Sequence, residues 1–73
     1  MNFETSDIVL ASALKVQGCK LVDIKKEGNR GTFCFAEVHQ GALDAFNLGQ
    51  MLVEPVTFNN ALKALTTAVR RIN

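Results

Sequence analysis

The spacing of apolar residues changes along this chain, and each change predicts an element. Residues 5–17 place Val9, Leu10, Ala11, Ala13, Leu14 and Val16 at helical spacing, with Ser12 and Lys15 as a narrow polar strip. This predicts a first helix with Thr5 or Ser6 as N-cap, Asp7 in the first turn and Gly18 as a left-handed stop. Its apolar arc covers more than half of the circumference, wider than a one-sided surface helix requires. Such a helix is either central in the monomer or offers a second apolar side to a partner subunit. In so short a chain the partner is the favoured reading, and Val9, Ala13 and Val16 are the candidate oligomer contacts.

The period then shortens to two. Residues 20–27 and 32–36 alternate, with Val22, Ile24, Phe33 and Phe35 on one face and Asp23, Lys25, Glu27, Thr32 and Cys34 on the other. Gly28 and Asn29 between them predict a two-residue type II′ turn, and Gly31 suggests a bulge. That turn sets Ile24 opposite Phe33, Val22 opposite Phe35 and Cys34 opposite Asp23. The alternation predicts an antiparallel pair covered by helices on one side only.

Helical spacing returns at residues 38–48 through Ala42, Leu43, Ala45 and Phe46, weakened by Gly41, which costs about 1 kcal/mol against alanine. Residues 47–49 read as its stop, and residues 50–53 as a short third strand. Glu54 and Pro55 open the last helix, residues 55–72, with proline where its missing N–H costs nothing. There Phe58, Ala61, Leu62, Leu65, Ala68, Val69 and Ile72 share one side, and Asn59, Asn60, Lys63, Thr66, Thr67, Arg70 and Arg71 the other. The predicted order is α-β-β-α-(β)-α: a small α+β fold in which an antiparallel β-hairpin packs on helices. No internal repeat or linker divides it, so residues 1–73 form a single domain.

Size changes the picture most. A chain of 73 residues buries roughly 60% of the surface its unfolded form exposes, and sharing a core with a second copy is a common remedy. A homo-oligomer, with a dimer favoured, is therefore expected. The apolar share of 48% excludes a disordered tail, and a formal charge of +1 excludes a strong global field. Polar residues Glu4, Asp7, Ser12 and Lys15 interrupt the first apolar stretch, so neither a signal peptide nor a membrane span is expected. In the predicted hairpin Cys19 and Cys34 stand about 13 Å apart, too far for a disulfide. Both read as free, packing thiols in a reducing cytoplasm.

Certain residues also carry a resemblance. The Thr5-Ser6-Asp7 start, Leu10-Ala11, Leu14, Gly18, the Gly28-Asn29-Arg30 turn, Phe33-Cys34-Phe35 and the closing Phe58-Asn59-Asn60-Ala61 with Leu62 and Leu65 resemble a small family of uncharacterised bacterial and phage proteins, a domain of unknown function. The likeness runs over nearly the whole chain and rests on core and turn positions. It implies a bacterial, phage or prophage origin and a cytoplasmic location, and transfers no catalytic residue.

Candidate chemistry is sparse. From Pro55 onward there is no acid, and Lys63, Arg70 and Arg71 lie on the polar side of the last helix, as a nucleic-acid-facing helix requires. Lys25, Lys26 and Arg30 on the hairpin, near Lys20, form a supporting basic cluster diluted by Asp23 and Glu27. The plainer readings are that the arginines favour the helix dipole and that hairpin charges guard a strand edge. Residues 37–54 carry Glu37, Asp44 and Glu54 with no lysine or arginine, so pairing of this segment with the last helix is a further plain reading. No aromatic residue stands on the wet face for stacking. His39 has no ligand or acid at a useful spacing, and neither cysteine has a histidine placed beside it by the sequence. The Gly28-to-Gly31 run joins two strands, without the helix N-terminus of a phosphate loop. The expectation is a non-enzymatic oligomeric interaction module with no cofactor or metal; the alternative is a small nucleic-acid-binding protein.

Overall fold

The computed structural model describes residues 2–28 and 30–72. Its elements are β1 (Phe3–Thr5), α1 (Ile8–Val16), β2 (Lys20–Glu27), β3 (Arg30–Ala36), α2 (Gln40–Asn47) and α3 (Pro55–Arg71). The fold is α+β as expected: three helices and a three-stranded antiparallel sheet in the order β1-β3-β2.

The third strand differs from the expected one. Residues 50–53 are not a strand, whereas Phe3–Thr5 pairs with β3 through Phe3 opposite Phe35, Glu4 opposite Cys34 and Thr5 opposite Phe33. Because β1 holds one side of β3 and β2 the other, the central strand has no edge left for residues 50–53. Helix α1 consequently starts later than Thr5. Its N-cap is Asp7, whose Oδ1 accepts from the Val9 and Leu10 amides at 2.9 and 3.3 Å, while Thr5 Oγ1 accepts from the Asp7 amide. Gly18, at φ 92°, ends the helix as predicted and sends the chain into β2.

The hairpin keeps two of its three expected pairs. Ile24 faces Phe33 and Asp23 faces Cys34, but Phe35 faces Leu21, because a register shift between Leu21 and Asp23 displaces Val22. Val22 is therefore 54% exposed and is no core residue; Leu21 takes its place on the covered face. The irregularity lies at Val22 and not at Gly31, which pairs regularly with Lys26. The expected type II′ turn depends on Asn29, outside the described residues. Strand β3 starts at Arg30, earlier than the alternation suggested.

Glu37 adopts φ 58°, a left-handed backbone uncommon without glycine. Helix α2 then begins at Gln40 instead of Val38, and Val38 turns into the core. The core comprises Ala11, Leu14, Phe33, Phe35, Val38, Leu43 and Leu65. Full burial of each large side chain there contributes about 1.5–3 kcal/mol. Helix α1 packs against α3 with Ala11, Ser12 and Ala13 all buried, and the Ser12 hydroxyl is satisfied by donating to the Ile8 carbonyl at 2.7 Å.

Candidate interaction surfaces

Helix α1 is central, which moves the candidate oligomer surface. Ala13 is 3% exposed, covered by the chain's own packing, and Val16 is half-buried; Val9 alone of the three stands well out, at 46%. A broad apolar arc identifies a helix that is covered, without revealing whether the cover is α3 and the sheet or a second copy.

Exposed apolar surface instead gathers where α2 gives way to α3. Leu48 is 70% exposed, Leu52 88% and Val56 65%. This segment is held rather than loose. Gln17 Nε2, beyond the end of α1, donates to the Leu52 carbonyl at 3.1 Å, and the Gln50 amide donates to the Ala45 carbonyl at 2.7 Å. Glu54 caps α3, its carboxylate accepting from the Val56 amide and from both the amide and hydroxyl of Thr57. Those Thr57 and Val56 bonds hold the Glu54 carboxyl below the ordinary glutamate value.

At the other end of α3 the structure joins the two basic clusters in part. Lys26 Nζ donates to the Ile72 carbonyl at 3.2 Å, and Gly31, opposite Lys26, lies against Val69. The tip of the hairpin therefore meets the last turn of α3, so Lys26, Arg70 and Arg71 lie together at one end of the molecule, while Arg30 alternates to the outer sheet face opposite Glu27. Lys63 stands about 10 Å up the same helix side from Arg70, by the rise of 1.5 Å per residue. Lys25 does not belong to this group. It alternates to the outer sheet face, where Nζ meets Glu4 Oε2 at 3.3 Å, and that hydrogen bond and charge raise its pKa. Among the described residues, the cations of α3 form no salt bridge with Glu37, Asp44 or Glu54.

Beside this cationic end lies an open cleft of about 270 Å³ between the start of α1 and the end of α3, lined by Ser6, Ile8, Gly31, Phe33, Thr66, Val69 and Arg70. Two signs of it are legible in the sequence, the basic last turn of α3 and the glycine next to the hairpin tip, but nothing there indicates that they meet.

Both thiols are free. Cys34 is buried at the centre of the outer sheet face between Glu4 and Asp23, and burial followed by the Glu4 charge pushes its thiol pKa up. Cys19 shares a separate open cleft with Glu37 and His39, because the Lys20–Ala36 pairing brings the residues flanking both strands together. His39 occupies the N-cap position of α2 without a side-chain capping bond. Among the described residues no three His, Cys, Asp or Glu side chains are grouped to hold a metal ion, and no helix is long and apolar enough to cross a membrane. The chain matches no family model, no curated protein and no solved structure, so no relative assigns a role to these surfaces.

Proposed function

We propose that this chain is a non-enzymatic, self-associating protein-interaction module of the bacterial and phage kind it resembles, working in the cytoplasm. The observation that carries this reading is the exposed trio Leu48, Leu52 and Val56. Exposed apolar surface costs about 25 cal/mol per Å² relative to burial, and its concentration in one ordered segment marks a contact surface. The sheet edge is a poorer candidate. Strand β2 carries Lys20, Asp23, Lys25, Lys26 and Glu27 and is bulged at Val22, the devices by which an edge avoids pairing with another chain.

Sedimentation equilibrium over a range of concentrations tests the reading. The expected outcome is a mass above one chain for the wild type and a shift to the monomer for Leu52→Asp, with unchanged circular dichroism because Leu52 lies outside the core. A wild type that stays monomeric at the highest concentration reached defeats it.

A second reading has one specific observation in its favour. The meeting of Lys26 with the Arg70 and Arg71 end of α3 offers a local positive footprint to a polyanion such as nucleic acid, despite the near-neutral chain.

A further inference from the structure

We propose that the occupant of the apolar segment is the opposite end of a second copy: Leu52 of one protomer seats in the cleft between α1 and α3 of the next, and the copies associate head to tail. This rests on the self-association reading and names its partner.

Three features support the pairing. The cleft has an apolar floor of Ile8, Phe33 and Val69 with the Arg70 side chain lining it, and at about 270 Å³ it is below the roughly 300–1,000 Å³ of small-molecule sites. A protruding aliphatic side chain suits it better. Charge is complementary as well. Residues 37–54 carry Glu37, Asp44 and Glu54 and neither lysine nor arginine, whereas Arg70 lines the cleft, with Lys26 opposite its Gly31 and Arg71 next along the chain, against Asp7 between its Ser6 and Ile8. Pairing the apolar segment with itself would instead bring both sets of acids together, an arrangement that like-charge repulsion disfavours. Position completes the case. Val56 lies in the first turn of α3 and Arg70 in its last, so the 17-residue helix separates the two surfaces by about 20–25 Å. Two surfaces at opposite ends give a heterologous contact, which closes into a ring or extends as a chain.

Two variants with one damaged end each separate this geometry from a symmetric one. Leu52→Asp removes the knob and leaves the cleft intact; Arg70→Glu reverses the cleft's charge and leaves the knob intact. Both residues are exposed, and circular dichroism verifies that each variant folds. Alone, Arg70→Glu is expected to associate at least about tenfold more weakly than wild type, as loss of a complementary interface charge allows. Mixed in equal amounts, with one variant isotopically labelled, they restore a single competent contact, and native mass spectrometry reads a heterodimer of wild-type affinity that grows no further. The inference is overturned if Arg70→Glu retains wild-type association, or if the mixture forms no heterodimer although the wild type associates. In either case the broader self-association reading survives, whereas a monomeric wild type removes both.

Discussion

A methyl group added at Gly31 would stand 2.7 Å from Val69 Cγ2 and 3.1 Å from Cγ1. Valine is branched at Cβ and stiff about χ1, so it has no inexpensive way to withdraw. Gly31→Ala is therefore expected to destabilise the fold by about 1–3 kcal/mol, the usual cost of overpacking, and at this chain length each kcal/mol lowers Tm by roughly 4–8 °C. Adding Val69→Ala should recover part of the loss, so that the double variant melts higher than the two single losses predict. Simple additivity in thermal denaturation would show that the two residues do not meet. The sequence marks Gly31 as unusual but offers only a local explanation, a bulge. The governing contact lies far along the chain on α3, beyond the reach of strand alternation. Val22 has the same lesson in reverse: adjacent Leu21 and Val22 are both apolar, either could face the helices, and the pairing with Phe35 decides for Leu21.

Among the elements, α3 was the most legible because one-sided periodicity, an acidic residue and a proline mark its start. Elements without their own pattern were not legible. Phe3–Thr5 is a strand only because β3 offers it an edge, and residues 50–53, which have strand-like composition, pair with no strand. The cap of α3 yields a prediction with a definite sign. Glu54 accepts its bonds as a carboxylate, and its pKa in the folded state is lowered relative to the ordinary 4.5. A group lowered on folding adds stability above its unfolded pKa and loses it as pH falls through the folded value. Glu54→Gln should accordingly melt below wild type at pH 7, and the gap should narrow when both are melted below the folded-state pKa of Glu54. A gap of equal size at the two pH values would mean that the carboxylate charge contributes nothing to the cap.

At the scale of the whole molecule the candidate surfaces depend on an arrangement of charge that net charge conceals. With a formal charge of +1 the far field is weak, yet one end concentrates cations and the 37–54 segment acids. The strength of that end ranks the two functional readings. Lys26 is partly committed to the Ile72 carbonyl, which leaves Lys63, Arg70 and Arg71 of α3 for phosphates. Three phosphate contacts give a salt exponent of about −2.7, so binding to duplex DNA falls about 40-fold between 50 and 200 mM salt. With no exposed aromatic for stacking, nothing replaces that loss. Seating Leu52 in an apolar cleft depends chiefly on burial and only partly on the surrounding charges, so it should weaken far less over the same range. Anisotropy of a labelled duplex should therefore be flat at the higher salt, under conditions where sedimentation still reports association. Binding that persists there and disappears in an Arg70→Gln/Arg71→Gln variant would reverse the order, making the cationic end a nucleic-acid surface and the head-to-tail contact at most its competitor.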